Sequence, residues 1–261
     1  MRTIELIFED NSNYFIKESF NTLRTNVLFS GKGVKTIVVT SCFAHEGKST
    51  VSFEMARSLA EAGKKVLFVD ADLRKSMMVT RHTKERGIFG LSQYLSGQVE
   101  MEQVIYHTQI RDLDVIFSGP YPPNPAELVG NPAFRELLNV KRDQYDYIII
   151  DAPPLGMVID AAVISGICDG AIMVVNVGNV KYRIAQNVKG QLEKSGCKVL
   201  GVVLNQATHK RKRSSYRQQY EEYQSSAQMN LARAQQQQAR AQAARNTQQM
   251  KQRLPQKPSD Q

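Results

Sequence analysis

The chain has 261 residues, of which 42% are hydrophobic, and this is enough to build the core of one or two domains. A wholly disordered or fibrous protein is therefore excluded. The net charge of +9 is unevenly spread, because residues 209–261 carry 11 basic and 3 acidic side chains, or +8, which leaves +1 for the rest. The basic character belongs to an appendage, so we expect no nucleic-acid partner.

The cysteines and the distribution of apolar residues indicate the cellular location of the protein. Three cysteines without a C-x-x-C pair fit neither a disulfide framework nor a zinc ribbon. The first residues lack a basic region followed by an apolar run, and no window approaches 18 consecutive apolar residues. We expect a cytoplasmic protein that reaches a membrane only through a partner or through surface charge.

Short apolar runs rich in β-branched residues alternate along the chain with stretches of helical periodicity. This alternation is typical of buried parallel strands joined by crossover helices. The predicted strands are residues 36–40, 65–69, 113–117, 147–150, 171–175 and 199–204. The predicted helices are residues 50–62, 132–140, 161–168 and 183–194. The pattern predicts an α/β fold, a three-layer sandwich with a mostly parallel sheet, in a domain that spans residues 1–207.

The composition changes after Gln206, where we predict a flexible tail that spans residues 208–261. The tail begins with KRKR at 210–213, and its last 53 residues include 14 glutamines. Residues 229–254 are helix-prone by composition but lack an apolar stripe with which a helix could dock.

A phosphate-binding loop is predicted where the strand TIVVT runs into SCFAHEGKST and then into a helix. In such a loop, backbone N–H groups and the helix N-terminus bind phosphates, a lysine neutralises their charge and a hydroxyl ligates magnesium. Cys42 occupies the place of the usual first glycine of this motif. The predicted nucleotide-binding residues are Glu46, Gly47, Lys48, Ser49 and Thr50.

Acidic residues end two further predicted strands. In VLFVDADLR, the apolar strand ends in Asp70 and Asp72. In YIIIDAPP, the apolar strand ends in Asp151 before two prolines stop it. The carboxyl ends of parallel strands meet at one edge of an open α/β sheet, where such sheets bind ligands. Together with the loop, these carboxylates predict a site for a magnesium-bound nucleotide.

These three motifs together resemble the bacterial tyrosine kinases of capsule and exopolysaccharide synthesis, in the form whose kinase is a separate cytoplasmic chain. Other stretches are similar to that family, among them ESFNTLRTN, GLSQYLSG, FSGPYPPNPAEL and DGAIMVVNVGNV. The similarity covers roughly residues 16–205. It implies a P-loop NTPase-like fold and an ATP-dependent protein tyrosine kinase.

The resemblance implies ATP and Mg²⁺ as cofactors and a role for each site residue. Lys48 and the loop amides would hold the ATP phosphates, and Ser49, Asp72 and Asp151 would hold magnesium. Asp70 would accept the proton of the substrate tyrosine, so Asp70, Lys48 and Asp72 are the expected catalytic residues. A free carboxylate with a pKa of about 4 is a poor base for a phenol with a pKa of about 10, so we expect orientation to matter more than early proton removal.

A tyrosine cluster just beyond the predicted domain is similar to the autophosphorylation sites of the family. Its members are Tyr216, Tyr220 and Tyr223 in SSYRQQYEEYQSS. We expect one subunit to phosphorylate the tail of another, which makes a second copy of the chain a partner.

The resemblance also implies partners of other kinds. These are a membrane co-polymerase protein that activates the kinase, which would recruit it to the inner face of the cell membrane, and an opposing tyrosine phosphatase. The family pattern E-x-x-R-x-x-R, implicated in oligomer contacts, is here Glu18, Asn21 and Arg24.

The alternative is a nucleotide-driven switch that resembles the partition and division-site ATPases, which dimerise around ATP and hydrolyse it without phosphotransfer. Those proteins carry a second lysine four residues before the last loop glycine, where this chain has Phe43. A eukaryotic-type kinase is disfavoured because neither H-R-D nor D-F-G occurs.

Overall fold

A computed structural model describes residues 2–7, 14–76, 78, 83, 85 and 87–206. Within these residues eight strands form one sheet in the order β1-β4-β5-β3-β6-β2-β7-β8. The strands are β1 Arg2–Ile4, β2 Thr36–Ser41, β3 Val66–Asp70, β4 Ile105–Thr108, β5 Leu113–Ile116, β6 Tyr147–Asp151, β7 Gly170–Asn176 and β8 Lys198–Asn205. Neighbouring strands are parallel except for β4 and β5. The predicted α/β fold with a mostly parallel sheet is confirmed.

Helices in the described residues cover both faces of the sheet. They are α1 Tyr14–Leu28, α2 Lys48–Glu61, α3 Leu91–Leu95, α4 Pro125–Val129, α5 Pro132–Arg142, α6 Asp160–Ser165 and α7 Tyr182–Lys194, with a 3₁₀ turn at Met101–Gln103. The start of α5 shows how the sequence sets a boundary, because the Asn131 side chain accepts a hydrogen bond from the Ala133 amide at 2.9 Å. Pro132 suits the first helical position, since its missing N–H has no partner there in any helix.

The sheet separates two apolar cores, and the alternation of side chains along β2 feeds both. Val38 packs on the side of α5, whose Leu137 belongs to the same core. Ile37 faces the opposite core with Phe53 of α2 and Phe68 of β3, whose rings meet edge to face at 5.3 Å. Strands buried on both faces account for the continuous apolar runs of the sequence.

The sequence did not predict strands β1 and β4 or helices α1, α3 and α4. Strands β1 and β4 are short and lie at one edge of the sheet, and β4 runs antiparallel to β5. Helix α1 was also not predicted, because Val27 is the only residue of α1 that is buried. A helix that buries so little carries only a weak apolar period in its sequence.

The residues of the expected oligomer pattern make contacts within the chain. The Asn21 amide donates a hydrogen bond to Glu18 at 3.2 Å on the same helix. The guanidinium of Arg24 donates to the backbone carbonyl of Ser58 at 3.1 Å and to its hydroxyl at 3.0 Å, which ties α1 to α2. These contacts hold α1 in place, and oligomer formation stays a prediction.

The predicted tail and its tyrosines lie outside the described residues, so the division at residues 207 and 208 stays a prediction. None of the helices in the described part of the chain combines the length and the apolar character needed to span a bilayer.

Candidate active site

A cavity of about 510 Å³ lies at the carboxyl ends of the central strands. The phosphate loop forms one wall, and the chain segments that follow β3 and β6 form the others. Its polar lining includes Lys48, Ser49, Thr50, Asp72, Arg74 and Lys75. The predicted loop and one of the predicted carboxylates therefore face the same space, at the edge where open α/β sheets bind ligands.

Two glycines allow the phosphate loop to approach its neighbours closely. Gly47 has a φ of 83°, in the left-handed region, and a Cβ there would lie 2.0 Å from the side-chain nitrogen of Asn205. A Cβ on Gly156, in the segment after β6, would lie 2.2 Å from the carbonyl oxygen of Cys42. Glycine is required at both positions because any side chain would push the loop out of place.

A buried carboxylate fixes the shape of the loop from the inside. Glu46 accepts one hydrogen bond from the Phe43 amide at 2.7 Å and another from the Asn176 amide at 3.1 Å. The Asn205 side chain donates to the carbonyl of Glu46 at 2.9 Å. Glu46, which the sequence predicted to bind nucleotide, does not line the cavity. Its carboxylate links the loop to the end of β7, and its backbone carbonyl links the loop to the end of β8.

Lys48 is the centre of the charged cluster beneath the cavity. Its ammonium donates to Asp72 at 2.9 Å and to the Ser49 hydroxyl at 3.2 Å, and it lies 3.5 Å from a carboxylate oxygen of Asp151. Burial alone would lower the pKa of Lys48, but the carboxylates of Asp151 and Asp72 outweigh burial and raise it. The ammonium is therefore charged at neutral pH.

Asp151 ends β6 almost completely buried, at 1% exposure. Burial raises its pKa, an effect that Lys48 opposes. The hydroxyls of Ser49 and Ser52 are near enough to lower that pKa, but neither carboxylate oxygen of Asp151 has a partner with hydrogen-bond geometry among the described residues. Buried oxygens without partners are costly, and a bound cation or its water ligands would satisfy them.

The oxygen donors near the loop fit magnesium. Mg²⁺ is usually held by one or two carboxylates, waters and substrate phosphates rather than by a complete protein cage. Within the described ranges, no group of three His, Cys, Asp or Glu residues forms a metal cage by itself. Asp72, the Ser49 hydroxyl and Asp151, whose oxygens lack hydrogen-bond partners among the described residues, match the partial set that magnesium takes beside a nucleotide.

Asp70 lies deeper than Asp72, because β3 ends at Asp70 and the chain then turns. It is fully buried and does not line the cavity. It accepts hydrogen bonds from the Ser76 hydroxyl and, at 3.3 Å, from the Asp72 amide. Burial, followed by the negative charge of Asp151, raises the pKa of Asp70 to about 7.

The raised pKa of Asp70 predicts a dependence of stability on pH. Since the folded-state pKa of about 7 exceeds the unfolded value of 3.8, folding loses stability from Asp70 as the pH rises from about 4 to about 7. The Asp70→Asn variant lacks this loss. We expect the unfolding temperature of this variant, relative to that of the wild type, to increase from pH 4 to pH 7 and then to stay constant. A difference that is constant from pH 4 to 8 would contradict the assignment.

Several site residues were not predicted from the sequence because their partners are distant along the chain. Asp160 pairs with Arg74 across 86 positions, and Asn176 and Asn205 contact Glu46 across 130 and 159 positions. Asn176 and Asn205 end strands beside the loop, and Asp160 begins a helix. A polar residue at such a position is also common in turns and helix caps, so spacing alone does not distinguish the two uses.

The sequence of the chain is similar to those of known nucleotide-binding proteins and kinases. A sequence model of the AAA domain family matches residues 34–183. Tyrosine-protein kinase CpsD of Streptococcus agalactiae serotype Ia is 44% identical to the chain over 192 residues, which cover 74% of this chain and 83% of CpsD.

The chain is also similar in structure to solved tyrosine kinase and P-loop ATPase structures. The kinase domain of the Escherichia coli tyrosine kinase ETK matches with a TM-score of 0.71 at 31% identity, covering 78% of this chain and 82% of that chain. The septum site-determining protein MinD from Pyrococcus horikoshii, complexed with Mg-ADP, matches with a TM-score of 0.58 at 25% identity, covering 67% of this chain and 72% of that chain. The predicted P-loop NTPase-like fold is confirmed, and the tyrosine kinase is the more similar of the two.

Proposed function

This chain belongs to the bacterial tyrosine-protein kinases, and we propose that it transfers the γ-phosphoryl group of magnesium-bound ATP to tyrosines that include those of its own tail. The proposal starts from the membership of the chain in a kinase family and from its P-loop nucleotide-binding fold. The observation that supports the finer assignment is the Lys48 cluster, in which an ammonium, a hydroxyl and two carboxylates converge beneath the cavity.

The proposed mechanism begins with an exchange of partners at Lys48. In the structure the ammonium neutralises Asp72 and Asp151. This ammonium and the amides at the start of α2 would hold the phosphate oxygens of ATP. Ser49, Asp72 and Asp151 would hold magnesium, which would supply the positive charge that the two carboxylates and the phosphates need. Positioning and charge neutralisation provide most of the catalysis of phosphoryl transfer.

Asp70 is proposed to accept the proton of the tyrosine hydroxyl. Its pKa of about 7 lies closer to that of a phenol than the pKa of a free carboxylate does. The Ser76 hydroxyl now occupies one oxygen of Asp70, so a phenol that uses this oxygen must displace Ser76. Proton transfer to Asp70 is still uphill, and the role of Asp70 in orienting the phenol precedes its role as a base.

The proposed acceptors are Tyr216, Tyr220 and Tyr223, which lie outside the described residues. Tyr216 is ten positions beyond Gln206, and Gln206 lines the cavity. The polar sequence around these tyrosines suits entry of a phenol into an active site. We assign the transfer to pairs of subunits, in which the tail of one chain enters the site of another.

The proposed setting is the control of capsular or exopolysaccharide synthesis at the inner face of the cell membrane. We assign membrane recruitment to a membrane co-polymerase protein that also activates the kinase. A tyrosine phosphatase would reverse the modification. The similarity to CpsD supports this setting, and the body of the chain, with a charge of about +1, offers no reason to add a nucleic acid.

A mixing experiment tests both the reaction and its direction. Catalytically inactive chains that carry Lys48→Met supply intact tails, and active chains with Tyr216, Tyr220 and Tyr223 replaced by Phe supply the kinase. After incubation with ATP and Mg²⁺, we expect phosphotyrosine on the tail of the Lys48→Met chain. Release of phosphate without phosphotyrosine would contradict the kinase proposal, and labelling that occurs only in unmixed wild-type chains would contradict transfer between subunits.

The switch alternative receives less support. The MinD structure matches less well than the ETK kinase domain, and the position of the second lysine in such ATPases is held by Phe43, whose side chain carries no charge to offer a neighbouring nucleotide.

A further inference from the structure

Arg74 connects two parts of the cavity wall that are far apart in sequence. Its guanidinium forms a two-pronged pair with Asp160, with Nε at 2.5 Å from one carboxylate oxygen and Nη2 at 3.0 Å from the other. Asp160 is 1% exposed and begins α6, which follows the strand that ends in Asp151. This pair therefore links the turn after β3 to the segment after β6.

The same turn determines where Asp72 points. One oxygen of Asp72 accepts hydrogen bonds from the backbone amides of Arg74 at 3.3 Å and Lys75 at 3.0 Å. The other oxygen accepts from Lys48 at 2.9 Å. The carboxylate is thus held between the turn on one side and the phosphate loop on the other, so a displaced turn would move Asp72 relative to Lys48.

We propose that Arg74 and Asp160 are positioning residues that hold the turn bearing Asp72 in the geometry required for magnesium and nucleotide. The proposal rests on the proposed function, because it assigns Asp72 to magnesium. Groups behind a metal ligand typically affect metal affinity or activity by about 10- to 100-fold. The effect of Arg74 is predicted to reach the metal through Asp160 and the turn.

A direct contact between Arg74 and a phosphate is the competing explanation, since Arg74 also lines the cavity. The geometry favours the positioning role, because two guanidinium nitrogens are already engaged by a buried carboxylate in the planar arrangement that suits arginine best. Lysine at position 74 would keep the charge but not the two-pronged contact. Asparagine at position 160 would keep the shape but not the charge.

The test measures ADP binding by the full chain at equilibrium, with EDTA and then over a series of Mg²⁺ concentrations. For Arg74→Lys and for Asp160→Asn we expect unchanged ADP affinity in EDTA. The Mg²⁺ concentration that gives half of the magnesium-dependent change in ADP affinity should rise by about 10- to 100-fold. The double variant should be no worse than either single variant, because all three break the same link.

The matched control is Arg142→Lys. Arg142 pairs with Asp169 at 2.6 Å, and its side chain is 35% exposed against 33% for Arg74, but the pair lies at the opposite edge of the sheet, where β7 begins. We expect this variant to keep the wild-type dependence on Mg²⁺. If a single variant proves unstable, the neutral pair Arg74→Gln with Asp160→Asn avoids an unpaired buried charge and should show the same shift.

The outcomes separate this inference from the proposed function. If Arg74→Lys shifted the Mg²⁺ dependence of ADP binding but Asp160→Asn behaved like the wild type, Arg74 would act on the phosphate directly. That result would overturn the inference. Normal dependence on Mg²⁺ in both variants would overturn it as well, even if the wild type makes phosphotyrosine. A shifted Mg²⁺ dependence in a protein whose wild type makes no phosphotyrosine would instead contradict the kinase proposal alone.

Discussion

Replacement of Lys48 by methionine is expected to lower phosphotyrosine formation by at least about 10²- to 10³-fold, the loss typical when one preorganised group that stabilises transition-state charge is removed. The ammonium is the single cation within 3.5 Å of both Asp72 and Asp151 in the described part of the chain. Methionine preserves the length and the apolar stem of the side chain but removes that charge. The measurement is phosphotyrosine formed on the full chain with ATP and Mg²⁺.

Loss of activity in Lys48→Met must be separated from loss of folding. Removing one partner of a buried ion pair commonly costs about 3–5 kcal/mol in the free energy of unfolding. Adding Asp151→Asn to Lys48→Met removes one of the orphaned charges, so it should restore much of the stability without restoring activity.

A surface lysine serves as the control for Lys48→Met. Lys189 pairs with Glu193 on α7, and the two side chains are 45% and 52% exposed. Lys189→Met should keep wild-type activity. A folded Lys48→Met chain that forms phosphotyrosine at the wild-type rate would show that the site has been placed wrongly.

Replacement of Asp151 by asparagine is expected to impair catalysis and stabilise the protein at the same time. Phosphotransfer should fall by about 10²-fold or more, because an amide oxygen is a weaker magnesium ligand than a carboxylate. Burial holds the pKa of Asp151 above its usual value of 3.8, so the ionised carboxylate destabilises the fold as the pH rises above that value. The neutral variant should therefore unfold at a higher temperature than the wild type at pH 8, and the two should converge towards pH 4.

Asp169 provides a control with the opposite sign. Burial would raise its pKa, but hydrogen bonds from Arg142, Thr36 and Lys35 outweigh burial and lower it. The carboxylate of Asp169 therefore stabilises the fold at pH 8, and this stability is lost as the pH falls through its lowered pKa. Asp169→Asn should unfold at a lower temperature than the wild type at pH 8. If Asp151→Asn also unfolded at a lower temperature than the wild type at pH 8, the account of Asp151 would be wrong.

The parts of the site that the sequence predicted are those encoded locally. Strand, loop and helix follow one another in a single segment from residue 36 to residue 61. The predicted helix began at residue 50, whereas α2 begins at Lys48, because the carbonyl of Gly47 already accepts a helical hydrogen bond from the Val51 amide at 2.9 Å. The carboxylates of Asp70 and Asp151 were placed at one edge because each ends an apolar run, and the register pairs the two directly.

The residues that hold those groups in place could not be predicted in the same way. Glu46 resembles a loop residue free to face a nucleotide, and only the packed structure shows its carboxylate turned towards Asn176. Arg74 has several candidate partners in the sequence, and the choice of Asp160 depends on how the segment after β6 folds back. Such contacts arise from the tertiary arrangement, and spacing along the chain contains little information about them.

The hydrogen bond from Asn205 to the phosphate loop sets a limit for anyone who shortens this protein. A chain that stops at Gln206 keeps the amide that contacts the Glu46 carbonyl, and it keeps Gln206, whose side chain accepts a hydrogen bond from Asn176 at 2.6 Å. A chain that stops at Leu204 removes both contacts and opens the space beside Gly47 that only a glycine now fits. The phosphate loop therefore needs the chain at least as far as Gln206, and β8 is as necessary to the loop as the GKST motif itself.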